Sequence, residues 1–373
     1  MPGSHSHRQL GILSVALITY FNVSGGPWGN GSFCKWVGVA FGRPMGFQVG
    51  FWSWVSGVID NAIYPCLIVD TLLPLLEGDK HTEDTNVLVA YAMPLIEPAN
   101  WFVIRKDRDW GRLMSSLYWN YSGFDAAGAY AGEIQSPKTT YPRAMVLTVV
   151  LIAFTYIIPF IAISGADMPH YTTWDDGSYS VIAEKIGGTW LCIWVLISSV
   201  FGNLGLYVAE MAKDGFQLAG MADSGLAPPY FAQRHPDTGV PRRAILLAFF
   251  IIVFMGLFDF DTILGVDNFL SALSSLVEMS AAVRMRFSHP EIERPYRVNL
   301  SDKSLVVAMM LPFTLGVFIM VNELTKSWTS FWLNVIALAL GYVCQKYIEQ
   351  HPYHKYSELI QPPLDMNDLS EEF

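Results

Sequence analysis

Two aspartates stand inside apolar segments of this chain, each beside groups suited to holding a cation. Asp125 closes the stretch Trp119-Asn120-Tyr121-Ser122-Gly123-Phe124-Asp125, which interrupts a hydrophobic run from about 113 to 133. Roughly 20 such residues are what a helix needs to cross a bilayer. An aspartate near the centre of such a span costs about 2.5–3.5 kcal/mol on insertion scales. A group of that cost persists where it lines a path or a pocket, and a broken helix carrying it at mid-membrane is a common substrate site of secondary transporters. Asp60 opens Asp60-Asn61-Ala62-Ile63-Tyr64-Pro65, so a carboxylate, a carboxamide and a phenol fall within about one helical turn. For a ligand bearing amines these supply a charge and hydrogen-bond acceptors.

A second break closes the first apolar run, at Ser24, Gly25 and Gly26 with Pro27 behind them. Glycine and proline there free backbone groups for a ligand. Two interrupted helices in one chain are the pattern of inverted-repeat transporters. The expected substrate contacts are therefore Asp125, Asp60, Asn61, Tyr64, Trp119 and Asn120, with backbone from Ser24, Gly25, Gly26, Ser122 and Gly123. Trp119 and Tyr121 are placed to hold an amine by cation–π contact. A proton has three candidate carriers, Asp60, Asp125 and Glu210, while Glu278 is a weaker intramembrane carboxylate. If the freed amides of Ser24–Gly26 instead hold a carboxylate, the cargo is an amino acid.

The elements that must position these groups are apolar runs at about 9–28, 47–76, 86–98, 112–133, 144–165, 188–212, 243–258, 262–283, 304–324 and 329–348. With 52% hydrophobic and only 15% charged residues in 373, the chain is an all-α polytopic membrane protein, its lipid partner the bilayer itself. A single transmembrane domain over 9–348 is expected, with cytoplasmic ends at 1–8 and 349–373. Basic residues recur in every second connection, at Lys138 and Arg143, at Lys213 to Arg243, and at Arg284 to Lys303, which places those connections inside. Alternation fails early. Runs 9–28 and 47–76 both want to enter from the cytoplasm, and the polar and mixed linker between them cannot recross lipid with its backbone unpaired. The net charge of −10 argues against nucleic acid. Four cysteines without metal spacing, and the absence of a nucleophile motif or phosphate loop, leave no metal, cofactor or enzyme reading.

Gly132-Glu133-Ile134-Gln135-Ser136-Pro137-Lys138-Thr139-Thr140-Tyr141-Pro142-Arg143-Ala144 resembles the cytoplasmic signature after the sixth helix of the amino acid–polyamine–organocation transporter superfamily. Ser56-Gly57-Val58-Ile59-Asp60-Asn61-Ala62-Ile63-Tyr64-Pro65, Tyr118-Trp119-Asn120 and Ala209-Glu210-Met211 resemble its polyamine uptake branch, close to the L-type amino acid transporters. Asp214-Gly215-Phe216-Gln217-Leu218 does so too, and Arg294-Pro295-Tyr296-Arg297 fits the loop after the tenth helix. The resemblance implies a five-plus-five inverted repeat with two further helices, and helices one and six broken around the substrate. It also implies proton symport of putrescine, spermidine or related cations across the plasma membrane. Glu133 and Arg143 then form a cytoplasmic gate or structural pair. Matched helix by helix, the chain is short of the family's helix two near Trp28–Gly31, and of helix four and part of helix five between Leu76 and Val87. A sensor or non-transporting remnant is the reading that this shortfall opens.

Overall fold

A computed structural model describes residues 32–69, 109–121, 178–288 and 300–351, with isolated positions between 143 and 157 and at 290. The elements are α1 (Ser32–Phe41), α2 (Arg43–Asp60), α3 (Trp110–Tyr121), α4 (Ser178–Asp223), a 3₁₀ turn at Pro229–Ala232, α5 (Arg242–Met255), α6 (Phe260–Ser288), α7 (Asp302–Lys326) and α8 (Trp328–Gln350). No strand occurs among the described residues. The chain divides into two compact units, one of Met1–Asp60, Gly111–Tyr141 and Met211–Phe373, the other of Asn61–Trp110 and Pro142–Glu210.

The outward faces are apolar. Trp190 and Trp194 of α4 are each 60% exposed, Phe250 of α5 67%, and Leu257 just beyond α5 79%. A soluble protein hides such residues, whereas a lipid-facing surface requires them. Among the described residues three helical segments are long and apolar enough to cross a membrane: Gly187–Asp223, Asp302–Lys326 and Trp328–Gln350. The 23 residues of α8 rise about 35 Å, more than the ~30 Å hydrocarbon core.

In the first unit α6 is the central element, packed against α1, α2, α7 and α8. Its start is fixed by Asp259, whose carboxylate accepts from the Thr262 amide at 2.9 Å and the Thr262 hydroxyl at 2.8 Å. That occupies an amide the first turn cannot satisfy from within. Ser301 caps α7 the same way, its side chain accepting from the Ser304 amide at 3.2 Å. Contacts tie the basic ends of helices together. The Arg43 guanidinium donates to the Gly225 carbonyl at 3.0 Å, Gln48 donates to Gln345 at 2.5 Å, and Arg286 meets Asp302 at 2.8 Å. The start of α2 therefore lies with the ends of α4 and α8, and the start of α7 with the end of α6. The opposite end carries Asp261, within 3.2 Å of Lys326 and 3.8 Å of Arg112.

Three expectations change. The linker before run 47–76 contains α1, whose ten residues rise only about 15 Å and cannot cross a bilayer. It is helical because Cys34, Trp36, Val37 and Ala40 make one buried face, and Gly46 lets α2 close on it, since a Cβ there would meet the Cys34 carbonyl at 2.5 Å. Run 47–76 is not one helix: α2 stops at Asp60, a turn occupies 61–62, and helix resumes over 63–69. Run 188–212 continues to Asp223, with a kink at Gly188, whose φ of 72° only glycine adopts readily. The first apolar run, the segment 86–98 and the tail beyond 351 lie outside the described residues.

Asp259 provides a test of the α6 start. Burial pushes its carboxyl up, but the Thr262 hydroxyl and amide, its own backbone and the Lys326 charge outweigh that and hold it below its usual value. The folded value lying below the unfolded one, the stabilisation is complete above the usual aspartate range and lost as pH falls through the lowered value. Asp259→Ala is expected to cost about 1 kcal/mol, measured as the thermal unfolding midpoint in detergent at neutral pH, with the gap from wild type closing under acid.

Candidate transport site

A polar seam joins α2, α3 and α6 in the first unit. The Trp119 indole N–H donates to Asp60 Oδ1 at 2.6 Å, bringing together two of the residues the sequence singled out. One turn earlier on α2, the Ser56 hydroxyl donates to Asp267 Oδ1 of α6, also at 2.6 Å. From the next position on α6, Asn268 Nδ2 donates to the Ser115 carbonyl at 3.1 Å and hydroxyl at 3.0 Å on α3. Tyr118 Oη lies 3.4 Å from Ser271 Oγ, and the Trp119 ring meets Phe260 edge to face at 6.0 Å between centroids.

Helical spacing explains the convergence. Ser56 and Asp60 share a face of α2, as do Ser115, Tyr118 and Trp119 on α3, and Asp267, Asn268 and Ser271 on α6. Asp267 is 4% exposed and Asn268 fully buried, while Asp60 is half-buried. The α2 helix ends at Asp60, and the turn that follows interrupts the i to i−4 ladder beside the carboxylate. Such an arrangement supplies two carboxylates, Asp60 oriented by an indole and Asp267 by a hydroxyl one turn before Asp60 on α2, with one aromatic face nearby.

The other predicted residues fall differently. Asn120 turns back on its own helix, donating to the Ser116 carbonyl at 2.8 Å. Asn61 and Tyr64 are buried within the second unit. Glu210, last residue of that unit, is half-buried on α4 and well short of the helix end at Asp223, so it does not mark the helix terminus. Arg143 is exposed and helical. Ser24, Gly25, Gly26, Ser122, Gly123, Asp125 and Glu133 lie outside the described residues, as does the Tyr121 side chain. Glu278 is 1% exposed and accepts from the Ser274 hydroxyl at 2.9 Å, so it is interior rather than at an edge. Asp267 and Asn268 were passed over in the sequence; an adjacent acid and amide in the middle of run 262–283 were the available signal.

A family model described as amino acid permease matches residues 92–342, most of the chain. The chain belongs to the amino acid permease family. It is accordingly a multi-pass membrane transporter. This permease is 32% identical to a "probable polyamine transporter" of Arabidopsis thaliana, over 84% of this chain and 73% of that one. It is also 32% identical to a polyamine transporter of Oryza sativa subsp. japonica, over 88% of this chain and 69% of the relative. With another "probable polyamine transporter" of Arabidopsis thaliana it shares 27% identity over 95% of this chain and 90% of the relative. That alignment runs to 435 positions against the permease's own 373 residues, so at least 62 positions stand opposite gaps in this chain.

The pair between α2 and α6 is testable without a substrate. Ser56→Ala takes one donor from a buried carboxylate and is expected to cost about 1–3 kcal/mol. In a double-mutant cycle with Asp267→Asn, followed by thermal unfolding in detergent, the two losses should fall short of additive by about 0.5 kcal/mol or more.

Proposed function

We infer that this permease is a proton-coupled secondary transporter of polyamines or related cationic amines, acting in the plasma membrane. The single observation that carries the site assignment is the 2.6 Å contact between Trp119 and Asp60. It holds a carboxylate beside an aromatic face at a helix break, where an ammonium gains both a charge partner and a cation–π contact. The printed names of the relatives support the cargo class.

In this reading Asp60 and Asp125 take the ammonium groups, with Asn61, Tyr64, Trp119 and Asn120 orienting them. Backbone at Ser24–Gly26 and Ser122–Gly123 supplies further acceptors. Asp267 joins Asp60 as a second carboxylate in the seam, available to the second ammonium group of a diamine. A carboxylate among Asp60, Asp125 and Glu210 that binds the cation when ionised takes a proton when the cargo has left, which links the two fluxes. The domain over 9–348 follows the five-plus-five repeat, with Glu133 and Arg143 closing the cytoplasmic side.

A second reading rests on the gaps. Segments absent near 28–31 and 76–87 would remove helices from the first repeat, and a chain so shortened would bind amines without moving them. Labelled putrescine uptake in transport-deficient cells separates the two, comparing this chain with a version whose gaps are filled from a relative. Transport by either form supports the inference, and binding without flux by both supports the remnant. In the transporting form, Asp60→Asn and Asp125→Asn are each expected to lower uptake about ten-fold or more, the loss of one charge-assisted contact. Unchanged uptake in both variants would dismiss the site.

A further inference from the structure

Glu323 of α7 is fully buried, and the seam just described makes no use of it. Its Oε1 accepts from the side chain of its neighbour Asn322 at 3.0 Å, and its Oε2 has no hydrogen-bond partner. Oε2 lies where α6, α7 and α8 approach one another closely at a glycine. A Cβ on Gly265 of α6 would lie 3.2 Å from Glu323 Oε2 and 2.9 Å from Ser330 Oγ of α8. The nearest cation along α7, Lys326, is drawn to Asp261 at 3.2 Å.

The next turn continues the pattern. Asn334 follows Ser330 by one turn on α8, is fully buried, and has neither its Oδ1 nor its Nδ2 bonded. Asn268 follows Gly265 by about one turn on α6 and is likewise buried, with Oδ1 unpartnered although Nδ2 is engaged by Ser115. Glu323 Oε2 and Ser330 Oγ thus close on a glycine where any side chain would displace them, and the unbonded amide of Asn334 and Oδ1 of Asn268 follow about one turn further along α8 and α6. An ionised carboxylate in such a place needs a counter-charge, and a bridging water alone supplies none. One carboxylate among neutral oxygens balances a single positive charge, and hard oxygen donors select a hard ion.

We propose that Glu323, Ser330, Asn334 and Asn268, around Gly265, form a site for one small monovalent metal cation of sodium's size. The site adjoins the amine-binding seam through Asn268, while Glu323, Ser330 and Asn334 lie outside that seam. Its ion joins α7 and α8 to the central helix, so its first effect is on the stability of this corner of the first unit.

The test uses the purified full-length chain in detergent, unfolded thermally in sodium chloride or caesium chloride at equal ionic strength, caesium being much the larger ion. Wild type is expected to gain several degrees, saturably, in sodium over caesium. Direct binding of radiolabelled sodium should saturate at one ion per chain and resist putrescine. Glu323→Gln should abolish both effects, Ser330→Ala should weaken sodium binding at least several-fold, and Asp60→Asn should change neither. Equal midpoints in the two salts, or a sodium effect that survives in Glu323→Gln, would overturn the proposal. So would a stabilisation that follows pH alone and disappears in Glu323→Gln, since the carboxyl would then carry a proton rather than a metal ion. If Glu323→Gln does not fold, the Ser330→Ala titration and the wild-type binding isotherm decide the matter.

Discussion

A polar group enclosed by hydrocarbon has no water to fall back on, and most of what is distinctive in this molecule follows from that constraint. The central helix α6 carries Asp267, Asn268, Ser274 and Glu278 through the interior of the first unit. Each is answered by a donor or acceptor on its own or another helix: Ser56 for Asp267, Ser115 for Asn268, Ser274 for Glu278. An unmet group of this kind costs about 1–3 kcal/mol, so these pairings dictate which helix faces meet, and at what register, more sharply than shape does. The helices around α6 are arranged as much to satisfy it as to pack against it.

The same constraint explains where a transport site can exist. A carboxylate fully committed to fixed donors is structural, and one left to water is at the surface. Asp60 falls between these, half-buried, held by Trp119, and set at the last residue of a helix. Its neighbour across the seam, Asp267, is more enclosed and more tightly bonded through Ser56. That gradient suits a site in which one carboxylate exchanges partners while the other keeps the geometry.

Much of this was legible in the sequence. Helical spans follow from long apolar runs, and those over 243–258, 262–283, 304–324 and 329–348 appear within a few residues of α5 to α8. Asp60 was picked out because a charge inside an apolar run carries a cost that needs a reason, and Trp119 because it stands beside a helix break. The missed features have a common cause. Asp267 and Asn268 sit in a run whose average is apolar, so the window that finds the span conceals them. α1 was taken for a linker because its period is short and its apolar face meets protein, not lipid. The break at 61–62 had Pro65 as its only marker, several residues late, and the kink at Gly188 is a property of one backbone angle.

The lipid-facing surface described above also has a bearing on how the molecule coheres. Leu257, Phe201 and Trp328, all more than two-thirds exposed, will be bathed in acyl chains that resemble the protein's own interior. Inside and outside are then alike in polarity, and squeezing oil from water no longer holds neighbouring helices together within the bilayer. Cohesion passes to close backbone approach, dispersion and the few hydrogen bonds between helices. A methyl group at such a junction therefore counts for the dispersion it contributes rather than for the water it displaces.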